Sequence, residues 1–420
     1  MIIAIIGAGA SGLMAAIRAA ESGADKVLLF EKNALPGRKI LLSGNGRCNV
    51  TNTQDLRTYP EKYFGNGKFL YKSLAAFSPR DLIDFLSSQG VKTKEEEGGR
   101  IFPASERAQD IVNALFMRAE ALGVVFHENE AIADIRKDAS GRIAKVVSTR
   151  GAYDVDACVL CAGGSSYPAT GSSGDGVLLA ARLGHTIIPV RPGLSALDVE
   201  SSVLESVQGL SLRDIGVRAM LDGKVIASAS GDLIFTHFGL SGPAVLPLSR
   251  FLPLDDMYFE AGRVIVSLDL WPSLSQEAAR DAMKTLVIDN QSRKLTNVLH
   301  KTWAESLVAL LMSRASIPEE VFCHELKKEL RERLTMVIKD FSFAVKKAPS
   351  LSKAMVTAGG VSLKEIDPKT LQSRLVPGLF FAGEVIDIDG DTGGYNLQAA
   401  FSTGYKAGEA ACAFSLESSG

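Results

Sequence analysis

Cysteine is scarce: five residues in a chain of 420, at Cys48, Cys158, Cys161, Cys323 and Cys412. They are too few and too scattered for a disulfide framework in a chain of this size, so reduced thiols are expected. A surplus of one charge sign is missing too. Lys and Arg number 46 against 48 Asp and Glu, a formal net charge of −2, which leaves no electrostatic footprint for a polyanion or an anionic membrane surface. No basic residue precedes the apolar start "MIIAIIGAGASGLMAAIRAA", and Gly7, Gly9 and Gly12 interrupt it. It reads as neither an export signal nor a membrane span, and a cytoplasmic protein is expected. Repeats at solenoid period and low-complexity tracts are absent as well. What remains is ordinary soluble composition, 46% hydrophobic and 22% charged, in a chain long enough for two or three domains around a large ligand.

Residues 2–6, "IIAII", form a continuous apolar run, as in a strand buried on both faces of a parallel sheet. A glycine turn, an alanine-rich helix from about Ser11 to Ser22 and a second apolar strand, Lys26 to Glu31, complete a βαβ opening. A helix in "AQDIVNALFMRAEALG" and strands in "VVFHENEAIADIRKD", "GRIAKVVST" and "AYDVDACVLCAGG" extend it into a doubly wound α/β sheet with a β-meander. After "RPGLSAL" period two sets in. Val217, Ala219 and Leu221 alternate, Asp222-Gly223 supplies a type I′ hairpin turn, and Val225, Ala227 and Ala229 alternate on the return. Val264, Val266, Leu268 and Leu270 repeat the pattern, so an antiparallel sheet or small barrel is expected.

From Ser273 the period becomes helical, with capping boxes at Ser273 with Gln276 and at Ser316 with Glu319, and one apolar stripe of Leu326, Leu330, Leu334, Val337 and Ile338. Phe341, Phe343 and Val345 alternate again, and "GLFFAGEV" with the glycine turn and helix after it returns to the first architecture. The expected organisation is a first domain from 1–190 and 351–420, a β-barrel-like insert at 191–272 with a return strand at 341–350, and a small helical insert at 273–340.

Gly7-Ala8-Gly9-Ala10-Ser11-Gly12 follows a strand and opens a helix. The first glycine permits the tight turn, the second lets backbone approach a pyrophosphate, and the third lets helix and strand pack closely. Glu31 ends the next strand, where a carboxylate accepts bonds from ribose hydroxyls and disfavours a 2′-phosphate. NAD and FAD share this fingerprint. The C-terminal "FFAGEV" offers a second contact set. Glu384 ends a buried strand and can accept ribityl hydroxyl bonds, and Gly393-Gly394-Tyr395-Asn396 at a helix start can aim N–H groups at the flavin N1/O2 edge, where negative charge grows on reduction. An ordinary strand-to-helix turn explains these glycines, but not a paired arrangement at opposite ends of one chain.

The segments "GRKILLSGNGRCNVTN", "GGRIFPASERAQDIV", "CAGGSSYPATGSSGDG", "LIFTHFGLSGPAVL", "VTAGGVSLKEID" and "FFAGEVIDIDGDTGGYNLQAAFSTGYKAG" resemble, in order along the chain, those of the BaiN-like flavoprotein family, also labelled aminoacetone oxidase family FAD-binding enzymes. The resemblance implies a glutathione-reductase-type FAD-binding Rossmann domain interrupted by a β-barrel-like insert and a small helical insert. It also implies FAD as cofactor and FAD-dependent oxidoreductase activity. Members are variously labelled NAD(P)H-dependent reductases, including of bile-acid enones, and amine oxidases.

The candidate FAD contacts are Gly7, Gly9, Ala10, Ser11, Gly12, Glu31, Lys32, Arg38, Ser43, Gly44, Arg47, Ile132, Gly163, Glu384, Gly394, Tyr395 and Asn396. The leading expectation is hydride transfer through flavin N5 to a small organic substrate such as an enone. One GxGxxG is present, so NAD(P)H is expected to dock transiently as donor. An amine oxidase using oxygen and a flavin-binding regulatory or scaffold protein are the alternatives; an RNA-modifying flavoenzyme would need a basic stripe that the balanced charge does not supply. The expected partner is a small-molecule substrate, with no nucleic acid and no membrane. In "SGNGRCN" Asn45 stands where many members carry a third glycine, and Asn tolerates left-handed backbone. Gly44 and Gly46 are expected to let this loop approach a planar ring, with Arg47 and Asn49 as anchors.

Cys158 and Cys161 spell CxxC, but within a buried strand residues three apart face opposite sides and cannot bond. Cys48 has the adjacent Arg47, a cation of the kind that lowers a thiol pKa. No second cysteine lies near it in sequence, so a catalytic dithiol is not expected. Cys323-His324, read as helical, lacks matching ligands, and no metal site is proposed. His237 in "FTHFGLSGP", a segment expected to turn into a helix at Ser241-Gly242-Pro243, and Tyr167 in "GGSSYPATG" are the candidate proton donors beside a flavin. A buried, hydrogen-bonded histidine and a ring packed on its own loop are the plain structural readings of the same two residues.

Overall fold

The computed structural model describes residues 1–200 and 204–417, and the chain divides into two compact units, 1–192 with 354–420 and 193–353. The first unit is organised by the apolar run at its start. Ile2–Ile6 is the central strand of a five-stranded sheet, between Lys26–Phe30 and Ala157–Leu160, with Val125–His127 and Leu379–Phe381 as the edges. All four pairings are parallel, so the five carboxyl ends lie along one edge of the sheet. Both faces are covered, which is why the strands read as unbroken apolar runs: Ile3, Ala4 and Ile5 are fully buried.

The first helix spans Ala10–Glu21 and meets the C-terminal helix Tyr395–Glu417 at backbone contact, since a Cβ on Gly404 would stand 2.2 Å from the Ser11 carbonyl oxygen. The β-meander is Ile132–Lys137, Ile143–Ser148 and Ala152–Asp154. Cys158 packs with Ala4, Ile6 and Leu28 on one face of the main sheet, and Cys161 with Ile3, Ile5 and Leu13 on the other. Burial pushes both thiols up, Cys161 to about 12. These cysteines are core residues.

In the second unit Ser211–Leu221 and Lys224–Phe235 form the long hairpin, and Asp222 and Gly223 both take positive φ, 52° and 75°, as a type I′ turn requires. Val264–Asp269 and Phe341–Ala344 extend the sheet on one side, and Gly239–Ser241 and Leu197–Asp198 on the other. The two end strands then meet: Val199 pairs with Val345, and the Lys346 N–H donates to the Asp198 carbonyl at 2.8 Å. The barrel-like form is thus the one adopted. Val264, Val266 and Leu268 are fully buried, whereas Val225 beside the turn is 52% exposed, so the alternation of the return strand does not bury its first member.

The helices Gln276–Ile288, Glu305–Arg314 and Lys328–Lys339 share one hydrophobic cluster with this sheet, joining Val217, Val266 and Phe341 to Met283, Leu311 and Ile338. Three local expectations are corrected. The cap of Gln276–Ile288 is Ser275, whose hydroxyl accepts the Ala278 N–H at 3.1 Å, and not Ser273. Ser316, with φ 56°, begins no helix; it sits in a turn closed by the Ile317 N–H on the Met312 carbonyl. Cys323–Glu325 is a short 3-10 turn and not an α-helix. Among the described residues no helix is long and apolar enough to cross a membrane.

Candidate functional site

Gly7 leaves the central strand with φ 99°, and a Cβ there would stand 2.6 Å from the Cys161 carbonyl oxygen. A Cβ on Gly12 would stand 1.7 Å from the Gly7 carbonyl oxygen, so both positions exclude any side chain. Gly9 differs, because a Cβ there meets nothing within 4 Å. It is the N-cap of Ala10–Glu21, no side chain caps that end, and the N–H groups of Ala10, Ser11 and Gly12 have no partner within the helix. An open, uncapped helix start at the carboxyl end of the central strand fits the pyrophosphate of FAD through N–H bonds and the helix dipole.

Glu31 follows the neighbouring strand. Its Oε2 accepts the Ala8 N–H at 3.0 Å, and its Oε1 accepts the Asn33 N–H at 2.9 Å and the Asn33 amide at 2.7 Å. The carboxylate is therefore tied to the phosphate loop. The Asn33 amide oxygen in turn accepts from Arg38 at 2.9 Å, which is where that candidate's side chain goes. A cavity beside Glu31 is lined by Gly7, Lys32, Ile132, Ala162 and Asp175, so Lys32 and Ile132 do join the fingerprint residues. Lys32 is paired with Asp175 at 2.6 Å. Gly163 takes φ 72°, with the Ser172 hydroxyl 3.1 Å from where its Cβ would be.

Glu130 also lines the cavity, 2% exposed, and accepts from the Tyr153 hydroxyl at 2.7 Å, from Ser148 and from His127. Burial pushes its carboxyl up, but these hydrogen bonds outweigh burial and hold it below the ordinary carboxylate value.

Glu384 stands just past the edge strand Leu379–Phe381. Its carboxylate accepts the Lys39 ammonium at 2.6 Å, the Ser166 hydroxyl at 3.0 Å and the Thr357 N–H. Lys39 also donates to the Ser166 hydroxyl at 2.6 Å, and the Thr357 hydroxyl accepts the N–H groups of Ser165 and Ser166 at 2.7 and 3.0 Å. Sequence reasoning missed Lys39, Ser166 and Thr357. The available signals were a lysine inside "GRKILL", the serines of "GGSSYP" and a lone threonine in the apolar "KAMVTAGGV". Gly394 takes φ 99° at the start of Tyr395–Glu417. Tyr395 is 3% exposed and donates to Gln54 at 2.8 Å, and the Asn396 amide bonds the Gly390 N–H and carbonyl at 2.7 and 2.8 Å. Both side chains therefore serve the protein, and the helix start offers backbone N–H groups.

Asn45 does adopt left-handed backbone, φ 56°. Arg47 pairs with Glu96 and Glu106 and lies 4.0 Å above the Phe102 ring, so it anchors the loop. The Ser43 hydroxyl donates to the Ile40 carbonyl at 2.6 Å. A Cβ on Gly44 would stand 2.9 Å from the Asn49 nitrogen and 3.2 Å from Phe102, so the loop's own packing requires glycine there. Cys48 is fully buried, and burial pushes its thiol up to about 12, overriding the lowering that Arg47 suggested.

Tyr167 is half-buried, follows Ser166 directly and takes φ 51°, with its carbonyl accepting the Thr170 N–H at 2.8 Å. His237 lies in the second unit, exposed in the Thr236–Gly239 turn, its ring edge-on to Phe238 with centroids 4.7 Å apart. The chain continues from that turn as the strand Gly239–Ser241, and helical backbone resumes only at Leu246, later than expected.

Residues 1–410 match the family described as HI0933-like protein Rossmann domain. A 3-dehydro-bile acid delta(4,6)-reductase of Clostridium scindens is 33% identical over 411 residues, which is 97% of this chain and 98% of that protein. A ribosomal RNA dihydrouridine synthase of Escherichia coli is 33% identical over 402 residues, 96% of this chain and 95% of that one. Among solved structures, a 3-ketosteroid delta1-dehydrogenase from Sterolibacterium denitrificans in complex with 1,4-androstadiene-3,17-dione aligns with a TM-score of 0.52 at 13% identity, over 98% of this chain and 99% of that chain; the likeness is one of fold. The BaiN-like resemblance read from the sequence is borne out. The chain belongs to the HI0933-like protein Rossmann domain family and is an FAD-dependent oxidoreductase.

Proposed function

We propose that the chain is an NAD(P)H-dependent reductase that saturates a carbon–carbon double bond conjugated to a carbonyl in a small organic substrate, an enone being the simplest case. The observation that carries this reading is the alignment of 97% of the chain with a relative named for delta(4,6) reduction of a 3-dehydro-bile acid. The ribosomal RNA relative supports the same bond chemistry on another substrate, since dihydrouridine is uridine with its ring double bond saturated.

In this reading the uncapped start of Ala10–Glu21 holds the FAD pyrophosphate and Glu31 accepts the adenosine ribose hydroxyls. Glu384 accepts the ribityl hydroxyls, and the first N–H groups of Tyr395–Glu417 face the flavin. Bound FAD supplies a two-electron carrier that takes a hydride from one molecule and gives it to another. The protein's own side chains must place the substrate and deliver a proton to the carbon left electron-rich beside the carbonyl. Tyr167 and His237 are the candidates for that proton. Tyr167 has the stronger claim, because it adjoins the Glu384 network and holds a left-handed backbone of the strained kind found at functional sites. A nicotinamide donor has no second GxGxxG and docks transiently, and its supply suits a cytoplasmic location.

Anaerobic mixing of the purified yellow protein with NADH or NADPH tests the donor. Bleaching of the flavin absorbance, reversed on adding a 4-en-3-one steroid, is the expected result. Bleaching by an amine and by neither nucleotide would turn the reading to an amine oxidase, and bleaching by none of them to a flavin-binding regulatory protein. A second substrate reading, ribosomal RNA, is favoured by the Escherichia coli relative, while the net charge of −2 weighs against it. Re-oxidation of the bleached flavin by RNA, with the enone inert, would decide for RNA.

A further inference from the structure

Lys39 lies between the two ends of the cofactor edge. It is the second residue of the short helix Arg38–Leu42, whose N-cap Gly37 takes φ 68° and donates its N–H to the Ala8 carbonyl at 2.8 Å, inside the phosphate loop. A Cβ on Gly37 would stand 2.8 Å from Val112, so the helix start is seated firmly. From this tethered helix the Lys39 ammonium reaches Glu384 and Ser166, each at 2.6 Å. An ammonium carries three donors, and these two contacts engage two of them.

The same edge concentrates negative charge. Glu31 and Glu384 each follow a strand of the parallel sheet at its carboxyl edge, and bound FAD would add the double charge of its pyrophosphate. Lys32 has Asp175 as its counter-charge, and Arg38 is turned to Asn33. Lys39 is the cation joined directly to the Glu384 carboxylate, and its side chain is 27% exposed against 19% for its partner, so water screens the pair only in part.

We infer that Lys39 is a positioning residue for FAD, holding the Glu384 carboxylate in register and offsetting its charge where the ribityl chain and pyrophosphate pass. The inference rests on the reading of Glu384 as a ribityl contact. A hydrogen bond to a charged group in a partly sheltered pair is worth enough to change binding about tenfold.

The test uses the full-length chain stripped of flavin, titrated with FAD and followed by quenching of flavin fluorescence, with the melting temperature of each apoprotein measured alongside. Lys39→Met is expected to weaken FAD binding about tenfold without lowering the apoprotein melting temperature, and Lys39→Arg to restore most of the affinity. In a Glu384→Gln background the Lys39→Met change should add little, because the carboxylate it positions is gone. Unchanged affinity in Lys39→Met, an equal loss in both backgrounds, or a loss matched by a fall in melting temperature and not rescued by arginine, would each overturn the inference. If Glu384→Gln alone leaves affinity unchanged, the ribityl reading of Glu384 fails and takes the inference with it. If Glu384→Gln weakens binding and Lys39→Met does not, the inference fails by itself.

Discussion

Glu31 reaches Ala8 and Asn33 within 23 positions of chain, whereas Glu384 reaches Lys39 across 345. The stretch from Gly7 to Glu31 is one contiguous piece of the βαβ opening, closed by sterics: two glycines have no room for a methyl group, and one faces open space. The Glu384 cluster is gathered from four distant segments and held by charge and hydrogen bonds among Lys39, Ser166, Thr357 and Glu384. A steric constraint between neighbours in sequence tolerates nothing and leaves a motif. A polar network assembled by folding tolerates graded change and leaves only isolated residues.

That contrast is broken most sharply at the glycines. Gly12→Ala puts a carbon 1.7 Å from the Gly7 carbonyl oxygen, an overpacking expected to cost about 3 kcal/mol. The purified variant should be colourless and should melt well below wild type. Gly9→Ala should instead leave the apoprotein melting temperature unchanged and weaken FAD binding alone, since its Cβ meets only open space. Equal destabilisation by the two changes would remove the distinction on which the phosphate-loop reading depends.

Glu31→Gln keeps shape and removes charge. Loss of charge-assisted bonds to ribose should weaken FAD binding about tenfold to a hundredfold in a fluorescence titration. A wild-type affinity would place the ribose elsewhere.

A third network, also assembled from afar, sharpens the comparison through pH. His185 bonds Glu365 at 3.1 Å and Ser373 at 2.9 Å, across 180 and 188 positions. Burial holds its imidazole below the ordinary value of 6.5, against the upward pull of Glu365. The unfolded chain therefore takes up a proton more readily than the folded protein as pH falls through that ordinary value. This contribution to stability is present above it and is lost progressively below it. The urea midpoint should fall as pH drops from about 7 to about 5, and His185→Gln should show a flatter profile over that window. Identical pH slopes would show that the cluster does not resist protonation.

The smallest effect is expected at Cys48. The thiol is fully buried and raised to about 12, so Cys48→Ser should keep its FAD and its turnover, and native protein should resist a thiol reagent near neutral pH. Loss of turnover with FAD retained would return the thiol to the chemistry.

Much of the fold was legible because its signals are local. The Gly7–Gly12 loop, Glu31 and the Asp222-Gly223 turn each follow from stereochemistry within a few residues. Cys158, in the strand Ala157–Leu160, and Cys161, just past it, pack into the cores on opposite faces of the main sheet, as period two requires. Failures came where more than one local option was open: Ser273 and Ser275 both suit a cap, and the Ser275 hydroxyl is the one that accepts the Ala278 N–H. At Ser316 a turn back onto Met312 prevailed over a capping pattern. Arg47 next to Cys48 suggested an activated thiol, but its carboxylate partners Glu96 and Glu106 lie 49 and 59 positions away, on segments that folding alone brings near.

Period and local stereochemistry, which act between near neighbours, settle from the sequence alone that this chain opens with a parallel sheet and a glycine turn and carries a β-hairpin insert. Which charges meet is a different matter. Lys39 faces Glu384 because Leu379–Phe381 returns beside Ala157–Leu160 in the parallel sheet, and Val199 meets Val345 because the insert's end strands close on each other. Those pairings depend on strand order and sheet closure, which no spacing along the chain encodes, and so the Lys39–Glu384 cluster exists only in the folded protein.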